Sequence, residues 1–143
     1  MDMVKKLLNM PPGQLLMIPE AIWLTGWCRF QILYRPFSKL SPKIGSVGTE
    51  TPIDTQNPAE VMQVQKIVRA VSRRMPWTCN CMVQALTMKK MLARRAIGST
   101  LYMGVALDQN GNMEAHAWLR CGSVYISGKS EMERFTVTTM YGP

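Results

Sequence analysis

Residues 77–95 read Trp77-Thr78-Cys79-Asn80-Cys81-Met82-Val83-Gln84-Ala85-Leu86-Thr87-Met88-Lys89-Lys90-Met91-Leu92-Ala93-Arg94-Arg95. Asn80 or Thr78 is placed to cap a helix that starts at Cys81. Met82, Ala85, Met88 or Lys89, and Leu92 then fall along one side of a helix running to about Arg95. Cys81 therefore stands in the first turn, where free backbone N–H groups and the positive end of the helix dipole point. Further along, Ala115-His116-Ala117-Trp118-Leu119 holds the only histidine of the chain. An unperturbed thiol has a pKa of about 8.5, and a helix N-terminus and a neighbouring imidazole both lower it. The pattern points to a cysteine nucleophile, Cys81, activated by His116.

Working outward, a second helix precedes this one. Asn57 is placed to cap it, Pro58 suits the first helical position, and Glu60 lies in the first turn. Val61, Val64, Val68, Val71 and Met75 recur at spacings of three and four, a single buried stripe. Arg73 and Arg74 complement the C-terminal dipole, and Pro76 ends the helix. After the cysteine helix, Thr100–Leu107 reads as a strand. Asn110-Gly111 is a hairpin signal, and Met113–Arg120 is the returning strand that carries His116. Cys121-Gly122-Ser123 turns the chain into Val124–Ser127, and Arg134–Met140 alternates as a last strand. Two helices followed by three or four antiparallel strands make an α+β domain, with helices packed on an antiparallel sheet.

The N-terminal part differs in composition. Met3–Met10 predicts one or two helical turns, stopped by Pro11-Pro12. Gln14–Tyr34 is strongly apolar and approaches the length of a membrane span. Pro19, Glu20, Thr25-Gly26 and Arg29 interrupt it. It reads as one or two amphipathic helices that dock on the core or a partner, in preference to peripheral contact with a membrane surface. Pro36–Pro58, with its prolines, Gly45 and Gly48, reads as a connector. The expected division is a helical N-terminal arm and connector over 1–57 and a main domain over 58–143.

Composition bounds the function. The 143 residues suit one small domain with an arm, and 47% apolar against 18% charged residues suits a folded core. Thirteen methionines read chiefly as core filler. The net charge of +8 favours acidic partners, with Arg69, Arg73, Arg74, Lys89, Lys90, Arg94 and Arg95 expected on solvated helix faces. No nucleic-acid motif accompanies that charge, so nucleic acid is not expected as a partner. Four cysteines (Cys28, Cys79, Cys81, Cys121) are too few for a disulfide framework in a chain of this length. The N-terminus does not read as a cleavable signal peptide, because Asp2 and Pro11-Pro12-Gly13 break the pattern. Free thiols in the reducing cytosol are expected.

A thiolate at Cys81 would attack a carbonyl carbon, with N–H groups of the helix start holding the oxyanion. His116 would protonate the leaving amine, and water would release the acyl-enzyme. The plainer reading of the same residues is a structural cysteine and an unrelated histidine. A zinc site from Cys79, Cys81, His116 and Cys121 is a further reading, although Cys-x-Cys is tighter than structural zinc spacing. No cofactor or metal is otherwise expected. Cys28 reads as a small core residue.

The ordered set Asn80-Cys81-Met82-Val83-Gln84-Ala85-Leu86, Met91-Leu92-Ala93-Arg94-Arg95, Leu101-Tyr102-Met103-Gly104-Val105 and Ala115-His116-Ala117-Trp118-Leu119-Arg120-Cys121-Gly122 resembles the transglutaminase-like leader peptidases of lasso peptide biosynthesis. The resemblance covers about Trp77–Tyr141, and the apolar arm followed by Arg35-Pro36-Phe37 also fits. It implies a transglutaminase-like, papain-like core, a stand-alone cysteine peptidase and removal of a leader from a ribosomally made lasso precursor. Cys81 would be the nucleophile and His116 the general base and acid. The implied partners are the precursor peptide, a separate leader-recognition protein and an ATP-dependent macrocyclase. The family commonly carries an aspartate after the histidine to orient it; no Asp follows Asp108 here. Ser127, Glu131 and Asp108 are the candidates for that third place. Ala96 stands where the family frequently has glycine at the helix end.

Overall fold

The computed structural model of the chain describes residues 5, 6, 8–52 and 57–143. The helical turns expected over Met3–Met10 lie partly outside the described residues. From Pro12 the elements are α1 (Pro12–Tyr34), α2 (Phe37–Ile44), α3 (Pro58–Ser72), α4 (Cys81–Arg94), β1 (Thr100–Leu107), β2 (Met113–Cys121), β3 (Val124–Ser127), a 3-10 helix (Lys129–Arg134) and β4 (Thr136–Tyr141). The four strands form one antiparallel sheet in the order β3-β2-β1-β4. The α+β architecture is therefore as the sequence predicts, with the helices on one face of the sheet.

The apolar stretch near the N-terminus is one helix, α1, with Pro19 inside it. Its inner side places Met17, Ala21, Leu24 and Cys28 in the same core as Val61, Val64 and Val68 of α3 and Leu86, Met88 and Leu92 of α4. Glu20 fixes the position of α1. Its carboxylate accepts both guanidinium N–H groups of Arg95, at 3.0 and 2.7 Å, and pairs with Arg94 at 3.2 Å. Arg95 also reaches Glu60 at 3.4 Å, so one side chain joins α1, α3 and the end of α4. The Glu20 hydrogen bond holds the Arg95 pKa above its ordinary value. No helix among the described residues is long and apolar enough to cross a membrane.

The expected connector contains structure. Phe37–Ile44 forms α2, and its Leu40 and Ile44, one helical turn apart, are buried in the core. Ser41 Oγ lies 2.8 Å from Tyr141 Oη, which ties α2 to β4. The basic helix faces are also not uniformly solvated. Lys89 is buried, and its Nζ donates to the Ser99 carbonyl at 2.7 Å. Burial lowers its pKa to about 8.

Candidate functional site

Cys81 is the first residue of α4. Asn80 caps the helix, its Oδ1 accepting the Val83 N–H at 3.0 Å, and its carbonyl accepts Gln84 N–H at 3.0 Å. Gln84 Nε2 donates back to the Cys79 carbonyl at 2.9 Å and so holds the segment that leads into the helix. The N–H groups of Cys81 and Met82 meet no acceptor among the described residues. They are the orphan donors of a helix start, suited to a developing oxyanion. The thiol is half-buried and packs against the helix-side core. Trp77, four residues earlier, lies on α1: its indole N–H donates to Thr25 Oγ1 at 3.3 Å and its ring covers Gly26.

His116 lies on β2, opposite Gly104 of β1. Side chains alternate across a strand, so His116 shares a face with Trp118 and Arg120, and Ala117, Leu119 and Cys121 face the helices. The imidazole stacks between Trp118 and Phe135, with ring centres 5.9 and 5.0 Å away. Its Nε2 lies 3.1 Å from the Gly128 carbonyl. A carbonyl only accepts, so this bond puts the proton on Nε2 and leaves Nδ1 free. Gly128 has φ +71°, and a Cβ there would sit 2.6 Å from the Ala117 carbonyl and 3.0 Å from His116 Nε2. Both its backbone and its surroundings demand glycine.

The thiol and the imidazole are not hydrogen-bonded among the described residues. They belong to opposite faces of the sheet. The end of α4 lies at the Cys121 end of β2, where Cys121 Sγ donates to the Gly98 carbonyl. Pairing of β2 with β3 extends only from Leu119↔Ser127 to Cys121↔Val124. Beyond Leu119 the edge of β2 is covered by Gly128 and the 3-10 helix in place of β3, and the sheet separates the two groups.

The other sequence candidates are placed elsewhere. Asp108 Oδ1 accepts the N–H groups of Asn110 and Asn112, both at 2.8 Å, and serves the β1–β2 turn. Glu131 is exposed on the 3-10 helix, and Ser127 is buried on β3; neither bonds His116. The Gly128 carbonyl takes the orienting place instead, and a main-chain oxygen leaves no sequence signal. The face of His116 did have one, the i, i+2 relation to Trp118. The zinc reading finds no support, since among the described residues no group of three His, Cys, Asp or Glu converges. Cys28 and Cys121 are buried, which raises both thiol pKa values.

On the His116 face, Tyr102, Trp118, Tyr125 and Phe135 line an open groove of about 670 Å³. Arg120 forms part of its lining, its guanidinium donating to Tyr102 Oη at 3.0 Å, to the Thr51 carbonyl at 2.8 Å and to the Gly122 carbonyl. Gly104 makes room for this face, because a Cβ there would meet the Trp118 ring at 2.8 Å.

A family model described as the transglutaminase-like superfamily matches residues 26–140. Such domains typically carry cysteine-based peptidase or acyl-transfer activity. The match begins inside α1, so only the last turns of that helix, from Gly26 on, lie within it. Neither the curated proteins nor the solved structures contain a match to this chain.

Proposed function

Because the chain belongs to the transglutaminase-like superfamily, we propose that it is a cysteine peptidase that removes the leader from a lasso precursor peptide. The observation that carries the reading is Cys81 as the first residue of the capped helix α4, beside two unused N–H donors. The thiol passes its proton to Nδ1 of His116, the sulfur attacks the scissile carbonyl carbon, and the Cys81 and Met82 N–H groups receive the oxyanion. His116 gives a proton to the leaving amine, and water then hydrolyses the thioester. For this the imidazole leaves the Gly128 carbonyl and the segment around it rearranges to bring the ring to the thiol when substrate is delivered. Gly128 supports the resting ring through Nε2 and leaves Nδ1 for the sulfur. The leader itself is presented by a separate recognition protein, and the freed core peptide passes to an ATP-dependent macrocyclase.

The test is cleavage of a lasso precursor, with its recognition protein present, followed by mass spectrometry. Cys81→Ala and His116→Ala abolish cleavage while circular dichroism stays unchanged. Turnover retained by either variant sinks the proposal. The product also separates hydrolysis from acyl transfer: a free carboxylate marks the first, an amide adduct the second. One observation favours a non-catalytic peptide-binding scaffold, the separation of Cys81 from His116 by the sheet. On that reading iodoacetamide labels Cys81 no faster than Cys79, with or without partner and precursor.

A further inference from the structure

Helix α1 is apolar on both sides. Its inner side is in the core, yet its outer side carries a continuous stripe of Leu16, Trp23, Trp27, Phe30, Leu33 and Tyr34, between 36% and 73% exposed. The aromatic members recur at spacings of four, three and four and stack along the helix, with ring centres 6.3, 5.9 and 5.0 Å apart. A helix that is apolar all round is ordinarily buried all round. From Leu16 to Tyr34 the stripe covers about five turns, roughly 27 Å, far beyond the scattered apolar residues of an ordinary surface.

The charges around the stripe identify what covers it. Between residues 5 and 44 the chain has six basic side chains, Lys5, Lys6, Arg29, Arg35, Lys39 and Lys43, and one acidic, Glu20. Glu20 is neutralised by Arg94 and Arg95. Lys39 and Lys43 are exposed on α2, directly after the stripe, and Arg35 is exposed between the helices. Tryptophan and tyrosine join an apolar body to a polar tip and favour the boundary between lipid headgroups and acyl chains. An apolar helix face followed directly by the exposed cations Arg35, Lys39 and Lys43, its one carboxylate neutralised, complements an anionic bilayer surface.

We propose that the outer face of α1 docks on a membrane of anionic lipids, the helix lying in the plane of the interface with Trp23, Trp27 and Phe30 below the headgroups. The helix does not cross the bilayer. Its inner side remains in the protein core, so the whole domain is held at the surface with Trp77 and the start of α4 beside the bound face. The inference does not depend on the thiol chemistry, and Cys81→Ala binds as the wild type does.

The test is flotation of the full chain with vesicles of phosphatidylcholine alone, and with phosphatidylcholine and phosphatidylglycerol in equal parts. The protein floats with the anionic vesicles, and brominated lipid quenches its tryptophan emission. Trp23→Ser/Trp27→Ser/Phe30→Ser weakens binding by about tenfold or more, with an unchanged circular dichroism spectrum. Lys39→Gln and Lys43→Gln each weaken it roughly fivefold, and high salt acts in the same direction. Wild-type protein that stays unfloated with both vesicle types and unquenched overturns the proposal, without need of any variant. So does a triple variant that floats as the wild type does. A two-copy species in size exclusion that the triple variant abolishes, with no flotation, assigns the face to a second copy of this chain instead.

Discussion

Towards the helices the sheet shows Leu101, Ala117, Leu119 and Cys121, none more than 3% exposed, against the methionines and leucines of α4. On its other side it shows Tyr102, Trp118 and Phe135, with Arg120 among them and a groove left open. The first face is aliphatic and closed. It gains stability through area removed from water and has no room for a ligand. The second is aromatic and hydrogen-bonded, and it borders the only histidine of the chain. The aliphatic core and the aromatic, polar lining thus occupy opposite faces, with Cys81 packed against the first and His116 stacked on the second.

Core truncation breaks the comparison most severely on the closed face. Leu119→Ala leaves a cavity among side chains that cannot close it and costs about 3 kcal/mol, within the usual range for such changes. Val137→Ala, at a residue 43% exposed on β4, costs less than about 0.5 kcal/mol. Urea denaturation of both variants measures the contrast. Equal losses would mean that the closed face carries no more of the stability than the outer strand.

Lys89 is the one cation enclosed on the helix side of the described core, and pH probes it. Its ordinary pKa of 10.5 falls to about 8 in the folded protein, chiefly through desolvation. The unfolded chain therefore binds more protons between those values, so stability rises with pH across that window. Below about pH 8 the charged lysine is a cost that Lys89→Met does not carry. The advantage of the methionine over the wild type consequently shrinks as pH rises from 8 to 10.5, by up to ~3 kcal/mol. Loss of the bond to the Ser99 carbonyl lowers the methionine variant by a nearly pH-independent amount. Paired denaturation curves at neutral and alkaline pH read the difference; a gap constant with pH refutes the assignment.

On the aromatic face the corresponding probe is polar. Tyr102→Phe keeps the ring on Trp118 and removes the hydroxyl that accepts from Arg120 Nε. It leaves a buried guanidinium N–H without a partner, at a cost of about 1–2 kcal/mol. A loss below about 0.5 kcal/mol would show that the Arg120 network adds little to this face.

Much of this division was legible in the sequence, because period and punctuation are local. The α3 stripe, the Asn80 cap, the Asn110-Gly111 turn and the span of β3 follow from spacing and from residues with restricted backbone roles. What was not legible depends on tertiary contact. Prolines at 36 and 42 suggested a loop, yet Leu40 and Ile44 found a core to bury in, and burial outweighed propensity. Arg134, expected in the last strand, belongs to the 3-10 helix that crosses the aromatic face, so β4 begins at Thr136. Lys89 and Arg95 looked like members of a solvated face, but the Ser99 carbonyl just past the helix and the Glu20 carboxylate of α1 engage them. For the site, the helix-start position of Cys81 was readable. The partner of His116 was not, because it is a backbone oxygen.

The smallest effect lies where the closed face begins, at the exit from α4. Ala96 has φ +59°, in the left-handed region. Its N–H donates to the Ala93 carbonyl at 3.0 Å, and the Ile97 N–H reaches back to the Leu92 carbonyl at 2.9 Å. That pair of bonds is a Schellman helix end, in which the residue at Ala96 is usually glycine. Leu92 and Ile97, which bracket the turn, are both buried in the core, so packing holds the alanine in a conformation it disfavours. An L-residue there costs about 1–2 kcal/mol, and glycine relieves this but adds entropy to the unfolded chain. Ala96→Gly therefore stabilises the protein by a net ~0.5–1 kcal/mol, read as a higher urea midpoint with an unchanged m-value. The residue is exposed just past the end of α4, at the opposite end of the helix from Cys81, so the iodoacetamide reactivity of Cys81 in the variant equals that of the wild type. A lower midpoint would mean that the alanine is not strained, and that the helix end owes its form to the Leu92 and Ile97 side chains alone.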